Sequence, residues 1–122
     1  MKPGPLLLLL LALQSANAGE LSRNQWGDLF VAAAESDMCA EATYFRQCVT
    51  PALAQCQHAI VAAARSCLAD NASRLPLTFT SKQQSQDAGA LIGQCVGRTM
   101  DASSSSATPA NPRCRDPNAW KH

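Results

Sequence analysis

The chain is short of the residues that do chemistry. Its 122 residues hold two histidines, no C-x-x-C pair and no G-x-S-x-G turn, so the usual zinc-site and serine-hydrolase signatures are missing. Cys56 and His58 are two positions apart, about 200° around a helix, and cannot share an ion there. No charge of one sign dominates: with Lys2 set aside, nine basic side chains face nine acidic ones. Arg23, Arg46, Arg65, Arg74, Lys82 and Arg98 are scattered, and only Arg113, Arg115 and Lys121 gather, beside Asp116. That is not the footprint of a nucleic-acid or anionic-membrane surface. Long apolar runs are absent as well. The longest, Leu6 to Leu13, falls well below the roughly 20 residues of a membrane-spanning helix.

What the chain does have begins with its leader. Residues 1–18, MKPGPLLLLLLALQSANA, put one early positive charge before the leucine run and close on Ala16-Asn17-Ala18. This is the layout of a secretory signal peptide cleaved after Ala18, and it points to the periplasm or the extracellular space. All six cysteines follow it: Cys39, Cys48, Cys56, Cys67, Cys95 and Cys114. An even count in a short exported chain reads as a disulfide framework with fifteen possible connectivities.

The expected fold is all-α: a small disulfide-stapled bundle of three main helices and a short one over residues 19–101, followed by a flexible tail, 102–122, tethered through Cys114. Trp26, Leu29, Phe30 and Ala33 make one face of a first helix, with Ser22 or Asn24 as N-cap. Residues 39–50 hold a turn or two around Tyr44 and Phe45. Thr50 as N-cap and Pro51 at the first helical position start a second helix, whose stripe is Leu53, Cys56, Ile60, Ala63 and Cys67. Asn71 and Leu75-Pro76 end it. Residues 75–81 form a connector that can run briefly extended. A third helix, capped by Thr80 or Ser81, carries Ala88, Leu91, Ile92, Cys95 and Val96 on one arc.

Beside that arc lie Gly89, Gly93 and Gly97. Glycine costs roughly 1 kcal/mol relative to alanine inside a helix, so three in register ask for a reason. One answer is internal: a tight pair with the alanine-rich second helix (Ala52, Ala54, Ala59, Ala62, Ala63, Ala64). The other is a lane left open as a docking site for a partner helix or a second copy.

Cys56 and Cys67, about 16 Å apart along one helix, cannot bond each other. With the second and third helices antiparallel across a tight connector, Cys56 comes level with Cys95. With residues 39–48 running back along the second helix, Cys39 comes level with Cys67. The expected bonds are therefore Cys39–Cys67, Cys56–Cys95 and Cys48–Cys114.

Candidate chemistry is thin. His58 points away from the apolar stripe and has no carboxylate at i+3 or i+4 to orient it as a base. A helical histidine beside cysteines is the arrangement of secreted phospholipases, but Ala59 stands where that pattern has aspartate, and no calcium loop is present. Glu35, Asp37 and Glu41 read as a solvated helix end. Asn71-Ala72-Ser73 is a glycosylation sequon, meaningful only in a eukaryotic source. No cofactor or metal motif is found. The expectation is a non-enzymatic exported protein that binds another protein, as an inhibitor, an immunity-type protein or an envelope accessory factor. One alternative is a carrier of a small apolar ligand, which needs a cavity of about 300 Å³ or more; another is a thiol-exchange partner, which needs a labile disulfide, with Cys48–Cys114 the candidate because one end lies on the tail.

Overall fold

The computed structural model describes residues 20–50, 52–103 and 112–120. The signal peptide expected over residues 1–18, Pro51 and residues 104–111 lie outside the described residues. The protein is a small helical domain stapled by three disulfides, with α1 (Arg23–Met38), α2 (Leu53–Asp70) and α3 (Lys82–Ser103) as its main elements. A two-residue antiparallel ladder joins β1 (Leu21–Ser22) to β2 (Thr78–Phe79), pairing Leu21 with Phe79 and Ser22 with Thr78. Helices α1 and α3 both pack on α2, which runs antiparallel to each.

Local chemistry sets the helix ends. Ser22 caps α1: its Oγ accepts from the Gln25 amide at 3.1 Å, and Gln25 Oε1 accepts from the Ser22 amide at 2.9 Å, a reciprocal capping box. On α3 the Ser81 Oγ accepts from the Gln84 amide at 3.1 Å, while Gln84 Oε1 accepts from the amide of Thr80, one residue earlier, at 2.7 Å. The C-terminus of α1 is held by Arg46, whose guanidinium donates to the Cys39 carbonyl at 2.9 Å, and by the Thr43 hydroxyl, which donates to the Met38 carbonyl at 2.7 Å. A cation there also suits the helix dipole. Residues Phe45–Val49 form one π-helical turn, closed by the Thr50 amide donating to the Phe45 carbonyl at 2.7 Å. Thr50 is therefore spent on that turn and does not cap α2. The N-cap of α2 is Ala52, which makes no side-chain cap.

The buried face of α1 differs from the expected one. Trp26, Gly27, Val31 and Ala34 are buried, whereas Leu29 is 57% exposed and Ala33 is exposed. The helix has turned its small residues towards α2. A Cβ on Gly27 would sit 3.4 Å from Leu68 Cδ1, so the two helices approach closely at that point. On α2 the stripe Cys56, Ile60, Ala63, Ala64 and Cys67 is buried, but Leu53, in the first turn, is 47% exposed. Beneath these helices Trp26 stacks on Phe79 at 4.8 Å and on Phe30 at 5.4 Å, the offset geometry favoured by aromatic quadrupoles.

The cysteines pair as Cys39–Cys56, Cys67–Cys95 and Cys48–Cys114. The expected Cys39–Cys67 and Cys56–Cys95 bonds are not formed, for two separate reasons. Cys39 is the C-cap of α1, and an antiparallel α1–α2 hairpin puts it opposite the first turn of α2, at Cys56. Cys95 is displaced because the connector is not tight. After Asp70 the chain makes a 3₁₀ turn over Ala72–Arg74 and then pairs with β1. Helix α3 consequently starts beyond the end of α2, and its register slips by eleven residues, about 16 Å, bringing Cys95 to Cys67 rather than to Cys56.

The tail also departs from the expected flexible segment. Residues Pro112–Arg115 and Pro117–Trp120 form two 3₁₀ turns, each opening on a proline whose fixed φ suits a first helical position. Trp120 Nε1 donates to the Arg113 carbonyl at 2.8 Å, and the Arg113 guanidinium lies 4.5 Å from the Trp120 ring centre. A T-shaped contact at 5.6 Å docks Trp120 on Tyr44.

With so few large side chains in the core, covalent closure matters. The bonds span 17, 28 and 66 residues, and each contributes roughly 3 to 4.5 kcal/mol in the chain-entropy model. Complete reduction is expected to abolish most of the helical dichroism at 37 °C; an unchanged far-ultraviolet spectrum in excess reductant would contradict this. Ile92, fully buried, should cost about 2–5 kcal/mol when replaced by alanine. Leu53→Ala should stay within roughly 0.5 kcal/mol of the parent. Urea denaturation of the oxidised proteins measures both.

Candidate functional site

Helix α3 decides the fate of the glycine lane by which face it turns inward. Ala88, Ile92, Val96 and Met100, at spacing of four, are buried, Ile92 and Val96 completely. Burying a large aliphatic side chain is favourable by roughly 1.5–3 kcal/mol, and a glycine offers nothing comparable. The Ile/Val/Met row therefore takes the contact with α2, and the adjoining row of Gly89, Gly93 and Gly97 is carried to the side. A Cβ built on any of these three glycines meets no atom within 4 Å. The internal reading, in which the glycines pair with the alanines of α2, is thus not what the chain does. The three residues do line up along one edge of α3, partly exposed and unfilled.

The contrast with Gly27 is instructive. Gly27 is buried against Leu68 across the α1–α2 contact, where an added Cβ would lie at van der Waals distance from the leucine methyls. No spacing rule marks a single glycine in that role, so sequence inspection passes over it. The signal was present only in combination with Ala34, seven positions on along the same face.

Among the described residues, several hollows mark the surface, three of which bear on the site. One of about 420 Å³ lies between α1 and the end of α2, floored by Gly27, Leu68, Ala69 and Leu75 and rimmed by Arg23, Asp28 and Arg65. Its cations are engaged: Arg23 donates to the Leu75 carbonyl at 2.6 Å, and Arg65 meets Asp28 at 2.8 Å in an exposed pair. A second, of about 360 Å³, adjoins the opposite side of α3 from the glycines, between Arg74, Pro76, Ala88 and Leu91. The third, about 370 Å³, separates Tyr44 and Asp101 from Cys114, Arg115 and Trp120 of the tail.

The other singled-out residues stand apart from one another. His58 is exposed on α2. Asn71 is the C-cap of α2, its Nδ2 donating to the Cys67 carbonyl at 2.8 Å, so the amide of the sequon already serves the helix end. Glu41 and Asp37 are exposed near the end of α1, and Glu35 is half-buried. The Tyr44–Trp120–Arg113 cluster was not foreseen, because a proline- and serine-rich composition hides the two short turns that build it.

In class, then, this is a small disulfide-stapled helical domain. Its three disulfides indicate an oxidising, extracytoplasmic setting, and no helix among the described residues is long and apolar enough to cross a membrane. Comparison with protein-family models, with curated proteins and with solved structures finds no match.

Because the lane is unfilled and helical, alanine should be tolerated there and should stabilise the domain. Gly93→Ala is expected to raise stability by up to about 1 kcal/mol, and the triple Gly89→Ala, Gly93→Ala, Gly97→Ala variant by more. Thermal unfolding of the oxidised proteins tests this, and a fall in Tm would mean that the glycines already touch something in the fold.

Proposed function

We propose that the chain is an exported, non-catalytic protein that binds another protein through the edge of α3 carrying Gly89, Gly93 and Gly97. The observation that supports this is the open lane. Three glycines weaken α3 by roughly 1 kcal/mol each, and, among the described residues beyond their chain neighbours, no side chain lies within 4 Å of where their Cβ atoms would be. A groove without side chains suits the close approach of a second backbone, as small-residue rows do between helices elsewhere. A domain held rigid by disulfides meets a partner with little ordering cost. The working compartment in this reading is the periplasm or the extracellular space, reached through the leader cleaved after Ala18.

The test is affinity capture from periplasm or culture fluid with the oxidised mature chain, residues 19–122, beside a Gly93→Leu bait. A Cβ at position 93 meets no neighbour within 4 Å, so that bait should fold; circular dichroism verifies it. The expected result is a stoichiometric partner held by the parent and lost, at least about tenfold in affinity, by Gly93→Leu. A partner retained equally by both baits removes the lane from the reading. No partner on either folded bait sinks the binding role in favour of a carrier of a small apolar ligand.

A further inference from the structure

The three disulfides are not equivalent in position. Cys39 and Cys56 are 1% and 0% exposed, and Cys67 is 1% exposed; all belong to the core under α1 and α3. Cys48 and Cys114 are both half-buried, and neither belongs to the core cluster. Cys48 sits on the π-helical turn that Thr43 and Arg46 anchor to the end of α1. Cys114 sits in the first 3₁₀ turn of the tail.

The tail segment closes on itself. The Trp120 indole donates to the Arg113 carbonyl, the Asp116 amide donates to the Arg113 carbonyl at 3.1 Å, and Asp116 Oδ1 accepts from the Asn118 amide at 3.0 Å. It rests on the domain through the Tyr44–Trp120 contact and the Cys48–Cys114 bond, with the third hollow between it and α3. This is the form of a clasp: a preformed piece joined to the domain by the Tyr44–Trp120 contact and the Cys48–Cys114 bond.

We propose that Cys48–Cys114 is a thiol–disulfide exchange site, and that its opening by a dithiol releases the 112–120 segment and uncovers Tyr44 while the helical domain stays folded. Exchange requires a thiolate to reach one sulfur while the other departs as a thiolate. In the core bonds that fails on one count or both. Neither cysteine of Cys39–Cys56 is accessible. In Cys67–Cys95 only Cys95 is half-buried, and attack there must expel Cys67 as an anion into an apolar interior, which makes it a poor leaving group. Cys114 departs instead from a partly exposed site flanked in sequence by Arg113 and Arg115, cations that favour the thiolate, Arg115 lining the same hollow as Cys114 together with Asp101.

One thiolate of the dithiol attacks Cys48 Sγ, the Cys48–Cys114 bond breaks, and its electron pair leaves on Cys114 Sγ, which takes up a proton. The second thiol of the dithiol then attacks the mixed disulfide, freeing Cys48 as a thiol and leaving the dithiol oxidised. Two electrons and two protons pass from the dithiol to the chain. The reverse reaction with an oxidised dithiol reseals the clasp.

The experiment is a graded reduction of the oxidised protein with dithiothreitol at neutral pH, quenched with acid, alkylated and peptide-mapped. Cys48 and Cys114 are expected to be alkylated at least about tenfold faster than the other four, with helical dichroism retained at that stage. Tyr44, the single tyrosine, should then be nitrated faster by tetranitromethane in the alkylated, opened protein than in the oxidised one. An Arg115→Gln variant should open a few-fold more slowly. The proposal is overturned if Cys67 and Cys95 react as early as Cys48 and Cys114, or if helix is lost with the first bond. Unchanged nitration of Tyr44 overturns the uncovering, and an unchanged opening rate in Arg115→Gln overturns Cys114 as the leaving sulfur.

Discussion

The ladder between Leu21–Ser22 and Thr78–Phe79, with Trp26 stacked on Phe79, ties the segment after α2 to the start of α1. It is only two residues long, yet the placement of α3 depends on it. Reinforcement comes from Arg23, whose amide donates to the Leu77 carbonyl at 2.9 Å and whose guanidinium reaches the Leu75 carbonyl. Leu75 and Phe79, both buried, anchor the same connector in the core. With the connector pinned there, α3 has to begin past the end of α2. Its first turns lie near Arg74 and Pro76, and the stretch from Ile92 onward meets α2. The Cys67–Cys95 bond records that register in covalent form.

Two kinds of helix contact coexist in this small domain, and different physics governs them. Between α1 and α2 small residues take part in the contact: Gly27 lies against Leu68, Gly27 and Ala34 are buried, and the bulkier Leu29 is left in solvent. Between α2 and α3 the gain comes from apolar area: Ile92, Val96 and Met100 fill the interface. The glycine row on α3 falls outside both. Its position is a consequence of the larger side chains winning the interface, and its cost in helix stability has no repayment inside the fold.

The disulfides divide the molecule into layers of accessibility. Two lie on the buried stripe of α2 and hold α1 and α3 against it, one near each end of that helix. The third lies at the periphery and joins a turn before α2 to a tail more than sixty residues away. The core bonds constrain the unfolded chain and sit where apolar packing shields them. The peripheral bond organises Tyr44, Trp120 and Arg113 into one surface cluster beside the open end of α3.

Much of this was legible residue by residue. Ser22 and Ser81 declare themselves as caps by the glutamine three positions on, and the buried stripe of α2 follows from Cys56, Ile60, Ala63 and Cys67 at helical spacing. The all-α class and the cysteine framework follow from composition and from local rules that act over four residues or fewer. Leu29 and Leu53 misled because periodicity counts a leucine as core wherever it falls in phase, whereas close approach at Gly27 and the late start of α2 leave both in water. Pairing of the cysteines and the openness of the lane at Gly89, Gly93 and Gly97 are of another kind. They depend on the axial offset between helices, set by the path of residues 71–81 and by a ladder joining positions almost sixty residues apart. Local sequence thus determined the three main helices, the caps of α1 and α3 and most of the stripe that α2 buries. Tertiary structure alone decided which cysteines meet and which face stays free, because register between helices is fixed by long-range contacts that no local period encodes.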